Sequence, residues 1–422
     1  MKINNYEAST ENSKILKITK TKKKILVLTS TFPRWKNDTT PPFVFELEKR
    51  LAKDFDITVL APHSQGAKKY EKLENLNIYR FQYFWPASYQ KLCYEGGILP
   101  NIKKNKFLLI QGITLILFEF FSAMKLIREK KIDLIHAHWI IPQGVVALLL
   151  KKILHTPYIV TTHGGDIYGL QNKIMRHVKK IILENAEKIT VVSTSIKEKI
   201  LQEINRKINV EVVSMGVDSK LFNVKKYDQS IKEKYNINGP FLLFVGRLAE
   251  KKGVSFLIRA MQSVIKKFPD AKLLIIGEGT ILNQLKGLSA QLGVDKNIIF
   301  LGPLPNLELP KYYATCDIVV CPSIQTDDGD AEGLPVTILE GLASGCCVVS
   351  TNTGGISDVI DPNYNGVLIK QKDILSLSNT ILALLYEPKK RHYYRKNSLR
   401  TVRKYDWGNI IQSYSRLISP VT

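Results

Sequence analysis

The sequence has too few cysteines for a disulfide framework. It contains five in 422 residues, an odd number without the paired C-x2-C spacing of a metal site. Cys346 and Cys347 lie in the apolar run CCVVS, where we expect small buried side chains. The polar start MKINNYEASTENSK lacks the apolar core of a secretory signal, so none is expected. These absences favour a protein of the reducing cytoplasm.

The sequence also lacks an apolar run of the ~20 residues that span a membrane. The longest run, FLLIQGITLILFEFF, covers residues 107–121 and includes Gln111, Gly112 and Glu119. Two interpretations stay open: a buried helix, or an interfacial helix that faces lipid. Basic residues on both sides support the second interpretation: Lys103, Lys104, Lys106, Lys125 and Arg128.

Acidic residues are in short supply, and the net charge is +23. Residues 1–210 carry 35 basic and 18 acidic side chains, whereas residues 211–422 carry 26 and 20. This bias indicates an anionic partner for the first half, such as nucleic acid, acidic lipid headgroups or a phosphorylated substrate. The alternative is a Lys-rich surface without a specific role. The basic residues lack the interleaved aromatics of single-strand binding, so no nucleic-acid partner is expected.

Two series of alternating strands and helices follow one another along the chain. The first runs from KKILVLTSTFP (23–33) to KITVVST (188–194), and the second from PFLLFVGRL (240–248) to CVVST (347–351). This alternation predicts an α/β protein with two doubly wound, Rossmann-like domains. We place them at 22–211 and 212–404, after a flexible basic head at 1–21. In such sheets ligands bind beyond the carboxyl ends of the strands, so a cleft between the domains is the expected site.

Glycines and charged side chains follow several of these strands, in the segments HGGD, GRLAEKKG and GEG. Glycines let a backbone approach a ligand closely, and helix amides favour anions. Arginine grips a pyrophosphate in a bidentate way, and lysine adds a point charge. Arg247 and Lys252, with glycines such as Gly246 and Gly277, therefore predict a pyrophosphate site. His163 and Asp166 follow another strand and are further candidates at the same edge.

Two motifs suggest metal ions only weakly. In HAH, His136 and His138 face the same side of a strand, but no third ligand is near in sequence. The segment DGDAEGLPVTILE (328–340) begins like a calcium loop. However, Leu339 takes the place of the bidentate glutamate, and Glu340 lies one residue beyond it. We therefore expect no metal at either motif.

Glu332 and Glu340 fit a different ligand. A helix that begins at Pro335 would hold them about 8 Å apart along its axis. That separation suits two hydroxyl-bearing rings joined by a pyrophosphate, with each carboxylate accepting hydrogen bonds from one ring. A sugar nucleotide has this shape.

Several segments, in the same order, resemble the retaining glycosyltransferases of family 4, the glycosyl transferases group 1 type, which have the two-domain GT-B fold. They are EGLPVTILE with its E-x7-E spacing, FVGRLAEKKGVSFLIRAM, LLIIGEG, SMGVDSKLF and VTTHGGD. The likeness covers about residues 22 to 416. YDWGNIIQSYSRLI (405–418) looks like the last helix of the family, so residues 405–422 are expected to cross back onto the N-terminal domain.

The resemblance implies a donor site. Arg247 and Lys252 would bind the diphosphate of a nucleotide sugar, and Glu340 would hold the ribose. Glu332 would hold the transferred sugar together with two backbone amides, those of Gly333 and Leu334. The glycines at 246 and 277 would line the same site. No metal or cofactor is implied, because the two cations replace the ion.

The resemblance also implies catalytic and acceptor-side residues. His163 would stabilise charge that develops at the anomeric centre, and Asp166 would contact the acceptor or the sugar. Many relatives carry Gly-Gly in the first loop, whereas this chain has TSTFPRWKNDTTPPF. Arg34 and Asp38 in that loop therefore predict polar contacts to the acceptor.

The sequence thus predicts a retaining hexosyltransferase of cell-surface polysaccharide or glycolipid synthesis. Its partners would be a nucleoside-diphosphate sugar and a glycan or polyprenyl-diphosphate-linked acceptor. We expect a cytoplasmic protein in peripheral contact with an acidic membrane. Two alternatives remain: a sugar-nucleotide 2-epimerase of the same fold, and a basic binding protein with a retired transferase site.

Overall fold

The computed structural model describes residues 22–36, 38, 40–94, 97–204 and 208–421. The predicted head at residues 1–21 and Thr39 of the first loop lie outside these ranges. The strands are β1 (Lys24–Leu28), β2 (Asp56–Pro62), β3 (Tyr70–Leu73), β4 (Leu76–Phe81), β5 (Leu134–His138), β6 (Tyr158–Thr162), β7 (Lys188–Val191), β8 (Val210–Val212), β9 (Phe241–Val245), β10 (Lys272–Ile276), β11 (Ile298–Gly302), β12 (Ile318–Cys321), β13 (Cys347–Thr351) and β14 (Gly366–Ile369).

The α-helices alternate with these strands for most of the chain. They are α1 (Phe43–Leu51), α2 (Ile98–Lys104), α3 (Leu108–Lys130), α4 (Val145–Leu154), α5 (Gly165–Tyr168), α6 (Lys173–Asn185), α7 (Thr194–Glu203), α8 (Ser230–Lys234), α9 (Val254–Lys267), α10 (Leu282–Gln291), α11 (Leu309–Thr315), α12 (Val336–Ala343), α13 (Ile374–Tyr386), α14 (Pro388–Thr401) and α15 (Trp407–Ile418).

The N-terminal sheet has the strand order β3-β4-β2-β1-β5-β6-β7-β8 in the described ranges. Neighbouring strands are parallel, except for the antiparallel pair β3 and β4. Strands β5 and β6 are buried along their whole length, as expected for a parallel sheet covered by helices on both faces. The order reverses between β1 and β5, so the loops after these strands open at a topological switch point.

The C-terminal sheet has the order β11-β10-β9-β12-β13-β14, again within the described residues. All of these pairs are parallel. Here the order reverses between β9 and β12. Arg247 follows β9, and the loop that ends in Glu332 follows β12, so both lie at the switch point of this sheet. The architecture is the predicted pair of Rossmann-like domains, the GT-B fold.

The last helix packs on the N-terminal domain rather than on the domain that precedes it. Trp407, Tyr414 and Ile418 belong to the core of the first sheet. The Arg50 guanidinium lies 5.0 Å from the ring of Trp407. Just before α15, Asp406 forms a parallel bridge with Val217. The first strand and the last helix of the described residues therefore belong to the same domain.

Candidate active site

The loops after β6 and β12 touch each other across the cleft. A Cβ atom built on Gly164 would lie 2.7 Å from the backbone nitrogen of Gly333, and one built on Gly333 would lie 2.3 Å from the carbonyl oxygen of His163. Gly164 has φ +104°, a conformation that glycine adopts without strain. A side chain at either position would push the two domains apart.

The two predicted cations lie on the turn that follows β9. Gly246 has φ +154°, Arg247 is solvent-exposed, and Lys252 ends a short 3-10 helix before α9. The Lys252 Nζ lies 3.1 Å from Glu332 Oε2. A Cβ atom built on Gly97, in the N-terminal domain, would lie 3.8 Å from Arg247 Nη1. The turn thus brings two positive charges to the face of the cleft where Glu332 lies.

Glu332 is buried, with 8% of its surface exposed. Burial alone would raise its pKa, but Lys252, Lys251 and Arg247 outweigh this effect, so the pKa of Glu332 lies below its ordinary value. Its Oε1 atom has no hydrogen-bond partner among the described residues. A buried carboxylate oxygen without a donor is costly, and a ligand hydroxyl would satisfy it.

The acidic loop before Glu332 is neutralised by lysines from three different elements. Lys372 pairs with Asp327 at 2.9 Å, Lys251 pairs with Asp330 at 3.2 Å, and Lys103 of α2 pairs with Asp328. Each acid that could have contributed to a calcium loop therefore has a cation beside it.

Glu340 lies within α12, the helix that follows the loop of Glu332. Pro335 is the N-cap of that helix, and Glu340 is buried on it. Its Oε2 accepts a hydrogen bond from the Tyr313 hydroxyl at 2.9 Å, and its Oε1 accepts a long one from Asn306 at 3.4 Å. Burial raises the pKa of Glu340 to about 7 despite these two donors. The carboxyl group is therefore held in place, and it changes between its neutral and ionised forms near neutral pH.

Gly277 was predicted to line the donor site, and the structure shows that the packing of the chain already requires a glycine there. Its φ is +139°, and a Cβ atom there would lie 2.0 Å from the carbonyl oxygen of Gly246. Leu334 is half-buried beside Gly333. Its apolar side chain is in contact with the cores of both domains, which leaves its backbone as the group that could meet a ligand.

His163 follows β6 and is surrounded by rings. Phe43 and Trp139 lie 5.0 Å and 4.8 Å from its ring centroid. The ring stacks on His138, at 5.3 Å and 17°, and its Nε2 lies 3.0 Å from His138 Nδ1. Burial, followed by the neighbouring His138 and His136, lowers the pKa of His163 well below its ordinary value. The ring is therefore neutral at physiological pH.

Asp166 is buried and engaged with backbone groups. Its Oδ2 accepts from the Ile140 amide at 2.8 Å, and its Oδ1 accepts from the Gly164 amide at 3.2 Å. Burial raises its pKa, although these amides and Lys179 oppose the change. In the structure, Asp166 holds the loop that carries His163 and Gly164.

Arg34 and Asp38 form a bidentate ion pair within the first loop. Arg34 Nε donates to Asp38 Oδ2 and Nη2 to Oδ1, both at 2.9 Å. The guanidinium also lies over the rings of Trp35 and Tyr94, at 4.4 Å and 4.9 Å. Burial opposes the ionisation of Asp38, but the hydrogen bonds from Arg34 win, so its pKa is lowered.

Two residues near His163 are absent from the predicted site. Glu48 of α1 and His138 of β5 are both buried. His138 contacts His163 directly, and Glu48 contacts His138. The HAH motif drew attention to His138, but its partner lies 90 residues earlier in the chain. Only the pairing of β5 with β1 and β6, with α1 packed above, brings these groups together.

Known protein families match both halves of the chain. The family described as Glycosyltransferase Family 4 matches residues 42–221, and the family described as Glycosyl transferases group 1 matches residues 227–401. A glycosyltransferase of Methanocaldococcus jannaschii is 30% identical over 356 residues, 81% of this chain and 84% of the relative. A GDP-mannose-dependent α-(1-6)-phosphatidylinositol monomannoside mannosyltransferase of Mycolicibacterium smegmatis is 24% identical over 344 residues, again 81% and 84% of the two chains.

Solved structures share the fold. Sucrose-phosphate synthase from Thermosynechococcus elongatus superposes with a TM-score of 0.77 at 19% identity, covering 94% of this chain and 98% of that one. HepE of Anabaena, in complex with UDP-glucose, gives a TM-score of 0.73 at 17% identity, with coverages of 94% and 99%. These likenesses extend over both domains.

Proposed function

The chain belongs to the family 4 glycosyltransferases, and on that premise we propose that it transfers a hexose from a nucleoside-diphosphate sugar to a lipid-linked or glycan acceptor with retention of configuration. The mycobacterial relative is named for GDP-mannose and a phosphatidylinositol glycolipid, and the Anabaena neighbour holds UDP-glucose. Both names support a hexose donor. Assignment to cell-surface polysaccharide or glycolipid synthesis belongs to this proposal.

One observation carries the donor site: Glu332 Oε1 is buried and accepts no hydrogen bond from the described residues. Lys251 Nζ lies 4.0 Å from this atom, and Lys252 pairs with the other carboxylate oxygen. A sugar hydroxyl would donate to Oε1, while the adjacent cations would hold the diphosphate. Glu340 would accept hydrogen bonds from the ribose. Arg247 and Lys252 would stabilise the charge of the departing diphosphate, and we propose that they do so without a metal ion.

Retention follows in this proposal from the donor itself. The phosphate oxygen released from the anomeric carbon would take the acceptor proton on the same face of the sugar. Glu332 and Glu340 are then binding groups rather than the acid and nucleophile of a glycosidase. His163 would lie beside the anomeric carbon.

The acceptor side is supported by the long helix α3, which is apolar on its exposed face. By length and composition alone, α3 could cross a membrane. Only 33% of its most apolar stretch of 18 residues is buried inside the protein. Gln111 and Glu119 face the protein and are buried. Between residues 107 and 121 the exposed side chains are all large and apolar: Phe107, Leu109, Ile110, Ile113, Leu117 and Phe121. This arrangement is the reverse of an ordinary surface helix.

We propose that this face of α3 lies in the headgroup region of an acidic membrane on its cytoplasmic side. Lys103, Lys104 and Lys106 precede it and would contact anionic lipid. Lys103 also pairs with Asp328 of the donor loop, so the lipid-facing segment is in direct contact with the donor side of the cleft. A lipid-linked acceptor would therefore enter the cleft from the membrane.

A donor screen tests the transferase. Binding of UDP-, GDP- and ADP-sugars would be measured by saturation-transfer NMR for the native protein, Arg247→Ala and Glu340→Ala. We expect one donor to bind, and both variants to lose it. Binding to no nucleotide sugar by a folded protein would contradict the proposal and favour a basic binding protein. Conversion of the donor to its 2-epimer without an acceptor would favour the epimerase.

Flotation with vesicles tests the membrane surface. We expect binding to phosphatidylcholine vesicles that contain phosphatidylglycerol, release by salt, and loss in the triple variant Phe107→Ser/Ile110→Ser/Ile113→Ser. The control replaces equally exposed apolar residues of the other domain, Leu307→Ser/Leu375→Ser. Equal binding by both variants would refute the role of α3. Dimers that dissociate only in the α3 variant, without vesicle binding, would make the face an interface between copies.

A further inference from the structure

We propose that Glu48 and His138 are positioning residues that fix His163 in one neutral tautomer, with the proton on Nε2 and with Nδ1 left as a hydrogen-bond acceptor. The catalytic relevance of this tautomer depends on the proposed function, in which His163 lies beside the donor sugar. The tautomer itself follows from the hydrogen-bond geometry of three buried or half-buried side chains, and can be measured without any substrate.

The three side chains form a continuous chain of short contacts. Glu48 Oε1 lies 3.0 Å from His138 Nε2, and His138 Nδ1 lies 3.0 Å from His163 Nε2. Both are hydrogen-bond distances. Glu48 and His138 are fully buried, so water cannot substitute for either partner. Each nitrogen in the chain must therefore carry a proton or accept one.

The direction of these hydrogen bonds is set at the Glu48 end. Burial would raise the pKa of Glu48, but His136 and His138 outweigh it and hold the pKa at about 2. An ionised carboxylate only accepts, so His138 Nε2 carries a proton. Burial lowers the pKa of His138 to about 4, so the ring is neutral and its Nδ1 is bare. His163 Nε2 must then donate to it.

A neutral His163 with its proton on Nε2 has one remaining polar atom, Nδ1, which accepts. Within the described part of the chain, Nδ1 of His163 makes no hydrogen bond. The rings of Phe43 and Trp139 flank the imidazole and limit its access to water. A hydroxyl of the donor sugar could therefore donate to Nδ1.

This tautomer also suits the chemistry better than a cation would. In a retaining transfer, positive charge develops at the anomeric carbon. A protonated His163 would repel that charge, whereas the lone pair of a neutral ring would not. The chain from Glu48 thus supplies a fixed acceptor rather than a positive charge at this position.

His136, the first histidine of the HAH motif, also lies close to Glu48. His136 Nδ1 lies 3.0 Å from the same Oε1 atom, and His136 Nε2 lies 2.8 Å from Thr161 Oγ1. Thr161 in turn contacts the hydroxyl of Thr190 at 2.6 Å. Glu48, His136 and His138 are close enough to hold an ion. Among the described residues, His136 Nδ1 and Glu48 Oε2 make no hydrogen bond. The hydrogen-bonded path to His163 therefore runs from Glu48 Oε1 through His138.

Selective ¹⁵N-histidine labelling and two-bond N–H correlation spectra test the tautomer directly, with His163 assigned by its loss in His163→Gln. We expect a protonated Nε2 and a bare Nδ1 at His163 in the native protein. In His138→Phe, which keeps a stacked ring but no acceptor, we expect the other tautomer to appear. The control Thr190→Val loses a buried hydroxyl at the far end and should leave His163 unchanged.

Activity gives a second readout once a donor is known. In His138→Phe we expect kcat to fall about 10- to 100-fold, the range measured when a metal-bound histidine loses its outer hydrogen-bond partner, with KM for the donor little changed. His138→Gln presents an acceptor and a donor in one amide and should recover part of kcat. A proton on Nδ1 of His163 in the native protein, or a stoichiometric metal ion bound to it, would overturn the proposal. An unchanged His163 tautomer in His138→Phe would overturn it as well.

Discussion

Gly164 and Gly333 touch across the cleft, so closely that a Cβ atom on Gly164 would lie 2.7 Å from the Gly333 backbone nitrogen. For both glycines, the nearest atoms that a Cβ would meet belong to the other domain. The contact therefore joins the loop of His163 directly to the loop of Glu332. Closure of the cleft depends on the absence of two side chains.

Gly164→Ala should consequently impair donor turnover far more than stability. The new methyl group would hold the domains apart, and φ +104° adds local strain on the order of 1–3 kcal/mol. We expect kcat/KM to fall at least 10-fold. Gly165→Ala is the matched control, because its Cβ would meet nothing within 4 Å. Equal kinetics for the two variants would show that this contact is not required for catalysis.

The fold was predictable from the alternation of strands and helices, because buried parallel strands are short apolar runs. The bounds of β13 (Cys347–Thr351) agree with the predicted segment CVVST. The β3–β4 hairpin was not predicted. Its first strand, YEKL, alternates between exposed and half-buried positions and carries no buried apolar side, so its sequence has no signal of a strand.

In the candidate site, the proximity of Arg247, Lys252 and Glu332 was predictable, because each follows the carboxyl end of a strand in the same sheet. The ion pairs of the neighbouring acidic loop were not predictable. Lys103 and Asp328, for example, lie 225 residues apart in the sequence. Glu48 presents a second kind of failure. On sequence it is one more charged residue of an amphipathic helix, and only tertiary packing buries it against the HAH motif.

Donor binding should become pH-dependent near neutrality through Glu340. The proposed contact with ribose hydroxyls requires a carboxylate, whereas burial raises the pKa of Glu340 to about 7 in the free protein. Below pH 7 binding must release a proton, so affinity should fall as the pH decreases. Calorimetry in buffers of different ionisation enthalpy measures the released proton. Glu340→Gln should abolish this release and weaken binding.

Glu119 of α3 is the control for this experiment. Burial raises its pKa to about 8, opposed by Gln143, but it lies outside the proposed donor site. Glu119→Gln should leave proton release on donor binding intact. Proton release that persists in Glu340→Gln and disappears in Glu119→Gln would contradict the assignment of Glu340.

The same two carboxyl groups should also affect stability. Each has a folded-state pKa above its unfolded value, ~4.3 for glutamate. Such a group stabilises the fold fully below the unfolded pKa, and this contribution is lost as the pH rises through the folded pKa. The free energy of unfolding should therefore increase in Glu119→Gln relative to the native protein at pH 8, but not at pH 4. Denaturant titrations at the two pH values measure the difference. An equal effect at pH 4 and pH 8 would refute the shift.

Lys252 should be more important to Glu332 than its partial exposure suggests. The Lys252 and Glu332 side chains are 15% and 11% exposed, and Lys252→Met would leave the carboxylate with fewer cations. We expect a loss of about 2–3 kcal/mol at pH 7, somewhat below the ~3–5 kcal/mol of a fully buried pair. Because the pKa of Glu332 is lowered in the folded protein, the loss should shrink as the pH falls to 4.

The double variant Lys252→Met/Glu332→Gln should be more stable than Lys252→Met at pH 7 while remaining unable to bind donor. A double variant no more stable than Lys252→Met would mean that the pair is not coupled.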